Sequence, residues 1–426
     1  MSGPIVRARR ARRLTSALAC LLAAGCVQPG TTPGAPGAAG GPVSQAPAIR
    51  VGLVTGARTA QLGGGASLAV TQPDGSLIGI LRAGDQWTAT AANGGFTFTG
   101  PSAPSGESYT QVDVVPADSG GLVGVNGREY RGRLTLLQDR AGLTVVNRLD
   151  LESYLAGVVS AEMGRRDSTE REALLAQAVV SRTYALRNMG RWSAQGYDLL
   201  ATVADQAYGG VAAESALGWE AVRATHGEIL TYGGAPIDAF FYSTCGGRTE
   251  AGPDVFANAN PAYLRSVADT DAHGNAWCSI SPRFRWREAW TGEALEATLR
   301  RHLPAIAGVP ASRIAAIRGV RVTGRTTSGR AAGLLIDLKG GPVRVPGPAI
   351  RQVLRPVSGE ILRSTAITLE QSVARHRVTR LVVDGRGNGH GVGFCQWGAV
   401  GRARAGQGYR EILSAYYQGV ALERRY

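Results

Sequence analysis

Apolar residues recur at spacings of three and four through Leu149–Met163, placing Leu151, Leu155, Val158, Val159 and Glu162 on one face of a predicted helix. A carboxylate therefore ends an otherwise apolar stripe. Burial there disfavours the charged form and raises the pKa of Glu162, as a general acid near neutral pH requires. The bland alternative is a Glu that closes the helix and pairs with Arg165 or Arg166. A second helix is predicted from near Asp167, with Thr169 and Glu172 spaced as a capping box. On it Gln177, Ser181 and Tyr184 share one face, Leu175, Val179 and Leu186 make an apolar one, and Arg182 falls between.

Upstream the period changes to two. Ile49, Val51 and Leu53 alternate with other residues, and hairpin turns are marked by Pro73-Asp74-Gly75 and by Asn93-Gly94 before Phe96-Thr97-Phe98. A further hairpin joins Leu134–Leu137 to Leu143–Val146 through a turn at Asp139–Gly142. Downstream, Ala239–Tyr242 reads as a strand that turns sharply at Ser243-Thr244-Cys245-Gly246-Gly247. A helix near Gly292–His302 and a strand at Ala332–Leu338 follow, with a Gly-rich turn after it. The pattern predicts an α+β fold of mixed helices and antiparallel sheets, opening with a β-rich N-terminal segment.

Composition adds location. Arg7, Arg9, Arg10, Arg12 and Arg13 precede an apolar run, Leu14–Ala24, that is too short to span a bilayer. The run ends in Leu22-Ala23-Ala24-Gly25-Cys26, which resembles a bacterial lipoprotein cleavage site with Cys26 as the lipidated residue. Residues 1–26 thus read as a lipoprotein signal peptide, the alternative being an ordinary secretory signal cleaved nearby. Residues 27–47, rich in Pro, Gly and Ala, read as a tether. An exported, membrane-anchored protein facing the periplasm or cell-wall space is expected.

The formal net charge of +14 falls to about +9 without the leader, and Lys339 is the only lysine. With no lysine patch and no nucleic-acid motif, an anionic polymer or membrane surface explains the balance as well as nucleic acid does.

Outside the leader stand Cys245, Cys278 and Cys395. In an oxidising compartment a Cys245–Cys278 disulfide is favoured and Cys395 is left odd. A metal site of Cys245, His273 and Cys278 competes, though it lacks a close-spaced ligand pair. The glycine-rich run around His390, Gly387–Gly393, lacks the setting of a dinucleotide fold. Its glycines let backbone approach His390 closely, and Gln396 can orient on a sugar amide or hydroxyl. Asp205-Gln206-Ala207-Tyr208-Gly209-Gly210 has the polar–aromatic character that suits carbohydrate.

Asp150-Leu151-Glu152-Ser153-Tyr154-Leu155 with Val158-Val159-Ser160-Ala161-Glu162-Met163 resembles the signature of the SpoIID/LytB domain family. The resemblance continues, in the family's order, through Glu172–Ala185, Asp205–Gly210, Ser243–Gly247 and Gly389–Ala399. It covers residues 130–426 and implies a catalytic core there on which the β-rich N-terminal segment, 48–129, packs, with 284–380 as a mixed α/β accessory region. Tyr242 departs from the family, whose members often carry His there.

The resemblance implies a peptidoglycan lytic transglycosylase in which Glu162 is both acid and base, closing a 1,6-anhydro ring. It implies substrate contacts from Gln177, Arg182, Tyr184, Asp205, Gln206, Tyr208, Ser243, His390 and Gln396. No metal, cofactor or nucleic acid is called for. Glu152, ten residues from Glu162 and off its face, is assigned to structure. The partners expected are glycan strands, a cell-wall amidase and the membrane through the lipid anchor. Two rivals stand: a non-catalytic wall-binding protein that enhances an N-acetylmuramoyl-L-alanine amidase, and a zinc hydrolase using Cys245, His273 and Cys278.

Overall fold

A computed structural model describes residues 45–426; the leader, Cys20, the Cys26 lipidation site and all but the last three residues of the tether lie outside the described residues. The N-terminal part is β-rich. A seven-stranded sheet has the order Leu199–Leu200, Ala48–Ala57, Gly142–Asp150, Arg133–Asp139, Gln111–Pro116, Leu68–Thr71, Leu77–Leu81. The turn after Gln72 joins its last two strands, and Asp139–Gly142 joins Arg133–Asp139 to its neighbour in antiparallel register. A second sheet pairs Gln86–Ala92 with Gly95–Thr99 across Asn93-Gly94. Alternating positions such as Leu134, Leu136, Val112 and Val114 are buried, as the period of two demands.

The chain then enters α1 (Leu151–Met163), where the Asp150 side chain caps the first turn by accepting from the Ser153 N–H. α2 (Arg171–Asn188) follows. The expected Thr169–Glu172 capping box does not form. The Asp167 carboxylate takes the Thr169 N–H and closes a 3-10 turn, Ser168–Glu170, while Glu172 accepts from Arg171 and from the Tyr409 N–H.

Neither helix is amphipathic in place. Nine of the thirteen residues of α1 are buried, and Ala173–Ala185 of α2 is buried without interruption. A helix enclosed on all sides needs internal partners for its polar residues. α3 (Ala216–Ala224) packs against both, and one hydrophobic core runs from Ile49 through α1 and α2 to Tyr426.

A second core holds Trp290, Leu299, Leu334, Ile336 and Leu381. It is built by α4 (Gly292–Ala307), the one-turn α5 (Ile350–Val353) and two three-stranded sheets formed by residues between Arg285 and Arg386. The chain returns to the first core through α6 (Gln396–Arg404) and α7 (Tyr409–Tyr416). Phe394–Cys395 pairs in parallel with Phe241–Tyr242, so the start of α6 is tied to the Ser243–Gly247 turn. Among the described residues no helix is long and apolar enough to cross a membrane.

Candidate functional site

Glu162 lies half-buried at the C-terminal end of α1, and three elements converge on it. The loop Thr202–Gly210 crosses α1 because Gly157 admits it: a Cβ there would stand 2.6 Å from the Tyr208 ring. Tyr208 is thereby buried and donates to Asn147 at 2.9 Å, while Tyr154 donates to Gln206 at 3.2 Å. This fastening presents the Ala207 N–H to Glu162 Oε1 at 2.7 Å. From the other side α6 brings Gln396, whose amide donates to Glu162 Oε2 at 3.2 Å and approaches Gln177 Oε1 at 3.5 Å. Gln177 in turn donates to Ser181 at 2.9 Å.

Burial raises the pKa of Glu162, and the two hydrogen bonds oppose that rise only in part. Both donors are uncharged. Pairing with Arg166 does not occur: that guanidinium lies 4.4 Å over the Trp397 ring and 3.7 Å from Glu170. A half-buried carboxylate whose pKa is raised by burial and whose donors are neutral can give a proton and take it back.

The remaining expected site residues divide. Gln177 and Gln396 join Glu162 directly or through one amide. Arg182 does not line a cleft: fully buried, it grips both oxygens of Glu152 at 2.7 Å and donates to the Val222 and Glu228 carbonyls. Tyr184 donates to Asp205, which also accepts from Arg191, Trp192 and the Leu200 N–H. Asp205, Gln206 and Tyr208 are all buried. They shape the loop that carries Ala207. Ser243 is half-exposed, its hydroxyl on Thr244 and its carbonyl taking the Trp397 N–H.

His390 is held as a neutral ring. Its Nδ1 accepts from the Val392 N–H at 3.1 Å, so Nε2 carries the hydrogen and donates to the Phe241 carbonyl at 2.9 Å. Burial pushes its pKa down to about 4. Gly389, at φ +115°, makes room for this, since a Cβ would lie 2.6 Å from that of Tyr242. His390 fastens a loop.

The expected Cys245–Cys278 disulfide is not formed in this structure. The sulfurs stand 3.2 Å apart, beyond the about 2.05 Å of a bond, and all three cysteines are free and buried. Cys395 joins them together with Asp269, the four donor atoms lying within 4.8 Å of one another. His273 is exposed and outside this group. Sequence reasoning missed Asp269, which stands in no motif, and the Ala207 N–H, for which no side chain speaks.

A family model described as stage II sporulation protein matches residues 139–232, and a domain of unknown function (DUF8618) matches 275–393. The first match includes α1, α2 and the Ala207 loop. The stage II sporulation protein D of Bacillus subtilis is 30% identical over 294 residues, 65% of this chain and 75% of that protein. An uncharacterized protein of Brachyspira hyodysenteriae is 32% identical over 303 residues, 70% of this chain and 73% of the relative. The Bacillus subtilis amidase enhancer is 29% identical over 303 residues; the match spans 63% of this chain and only 40% of that relative.

Proposed function

Because the chain belongs to the stage II sporulation protein D family, we propose that it is an exported lytic transglycosylase of peptidoglycan glycan strands. The observation that carries this reading is Glu162, a carboxylate with a raised pKa and two neutral donors. The carboxylates nearest in motif are committed elsewhere, Glu152 to Arg182 and Asp205 to Arg191 and Trp192. A single carboxylate of this kind departs from the two-carboxylate glycosidase pattern and suits a reaction that needs no activated water.

In the proposed reaction protonated Glu162 gives its proton to the glycosidic oxygen as the C1–O bond breaks. The substrate's N-acetyl group stabilises the oxocarbenium-like carbon. The sugar's C6 hydroxyl then attacks C1, its proton returning to Glu162 and a 1,6-anhydro end remaining. Gln396 and the Ala207 N–H steady the carboxylate once it is ionised.

The test is Glu162→Gln on amidase-treated peptidoglycan, with released products read by mass spectrometry. Positioned acid–base catalysis is worth about 10²–10⁴ in rate per proton transfer, so anhydro products should fall to background while glycan binding persists. Anhydro release by the variant at near wild-type rate would place the acid elsewhere. A second reading, non-catalytic stimulation of an amidase, draws on the likeness to a protein named amidase enhancer. Wild-type protein that released no anhydro ends yet stimulated an added amidase would favour it.

A further inference from the structure

Arg285 and Arg386 stand directly opposite each other on neighbouring antiparallel strands, Arg285–Thr291 and Arg377–Arg386. Like charges so placed repel and destabilise a sheet. The next pair on the same face follows the ordinary rule: Arg287 faces Asp384 and donates to its two oxygens at 2.7 and 2.9 Å. Among the described residues no carboxylate answers Arg285 or Arg386, and both are exposed.

The pair lines a cavity of about 520 Å³ that also takes in Arg248 and Arg330, and no acid stands in its walls. Arg330 is 1% exposed. Its Nη2 donates to the Cys245 carbonyl at 2.8 Å, but its Nε and Nη1 find no acceptor among the described residues. Arg248 reaches only the carbonyl and hydroxyl of Ser266, each at 3.4 Å. Gly246, at φ +78°, lets the wall close, since a Cβ there would stand 2.9 Å from that of Arg386.

Four guanidinium groups thus share one cavity without a counter-charge, and one of them is buried with two donors unused. Such an arrangement is costly unless an anion completes it. From it we infer that the cavity binds a phosphate group, a function apart from the proposed glycan chemistry.

Phosphate fits better than carboxylate on two counts. The lining comes from four segments: the turn at 246–248, the loop at 270–279, the opposed strand pair and the turn that ends in Arg330. A carboxylate is planar and is satisfied by one or two guanidinium forks, whereas a phosphate offers acceptor oxygens on several sides. Thr270 and Ser279 add hydroxyls to the same walls. Charge points the same way, because a phosphate monoester carries about −1.5 to −2 at pH 7 and a carboxylate a single charge. A soluble phosphate ester and a phospholipid headgroup both present this chemistry.

Inorganic phosphate titrated calorimetrically into the full chain should show saturable binding, with sodium chloride at matched ionic strength as the control. Acetate should bind more weakly. Arg285→Gln and Arg386→Gln, both at exposed positions, should each weaken phosphate binding by about tenfold or more, the loss expected of one charge-assisted contact. Without phosphate each variant should melt above wild type, because the opposed charges are relieved. Added phosphate should raise the wild-type midpoint and move those of the variants far less. Glycerol phosphate that competes with inorganic phosphate identifies a soluble ester as the source. Vesicles of phosphatidylglycerol preferred over phosphatidylcholine by wild type, but not by Arg285→Gln, identify a lipid headgroup; either source upholds the site. No saturable binding, binding untouched by both substitutions, or acetate bound as tightly as phosphate would overturn the inference. None of these readouts depends on glycan cleavage.

Discussion

Replacing Arg182 by Met keeps most of the side chain's length and removes its charge. In the native fold the guanidinium has no exposure and makes contacts with Glu152, Thr225 and the carbonyls of Val222 and Glu228. Glu152 then keeps only the Tyr426 hydroxyl. Deleting one partner of a buried ion pair costs about 3–5 kcal/mol, because the survivor is left charged and buried. The orphaned carbonyls add about 1 kcal/mol each at the low end of such costs. The total, about 5–7 kcal/mol, rivals the whole stability of many domains, typically about 5–15 kcal/mol.

Urea unfolding followed by circular dichroism should therefore show Arg182→Met unfolded, or with its midpoint far below wild type. Arg182→Met combined with Glu152→Leu should regain most of the loss, since no uncompensated charge remains. Glycan turnover per folded molecule should match wild type in the double variant. An Arg182→Met protein with a wild-type midpoint and lost glycan binding would refute the argument and return Arg182 to the cleft.

Glu162→Gln should be more stable than wild type at neutral pH. With its native pKa raised by burial, Glu162 binds a proton more readily folded than unfolded, so wild-type stability falls as pH rises from the unfolded carboxylate value, about 4.3, through the folded one. The variant escapes that fall, and melts at pH 4 and pH 7 should show the gap opening with pH; a constant gap would deny the raised pKa. Gln396→Ala removes a donor to the ionised carboxylate, so the alkaline limb of glycan turnover should move to higher pH, and an unmoved limb would detach Gln396 from the acid. Gly157→Ala should lower stability by about 1–3 kcal/mol in chemical unfolding, since its methyl meets the Tyr208 ring; a neutral effect would mean the loop yields.

The hairpins and the helix ending in Glu162 were legible because local period and turn chemistry agree with the tertiary fold. The start of α2 was not: Asp167 accepts the Thr169 N–H and opens a 3-10 turn, Ser168–Glu170, that leads into α2, so Thr169 lies inside that turn instead of capping the helix. The motif at Asp205–Gly210 marks the loop whose Ala207 N–H reaches Glu162, while its side chains are buried in holding that loop, because a residue that fixes a loop recurs in a motif as readily as one that touches substrate. The buried pairing of Arg182 was illegible for a related reason. Its neighbours on α2 are apolar or small, yet its partner Glu152 lies 30 positions earlier, on a face of α1 that an amphipathic reading gives to solvent. The Ala207 N–H and Asp269 left no trace in any pattern, one being backbone and the other a lone acid gathered only by folding.

Gln396 follows Glu162 by 234 positions. At a synthesis rate of about 5–20 residues per second, the carboxylate exists for roughly 12–50 s before the amide that orients it has been made. Closing so long a loop costs about 5 kcal/mol of chain entropy, which the contacts of α1 and α2 with each other do not require. The two halves of the site are thus separated in time as well as in sequence. For a protein proposed to cut its own cell's wall, that interval is a form of latency: an unfinished chain carries the acid without the group that steadies it.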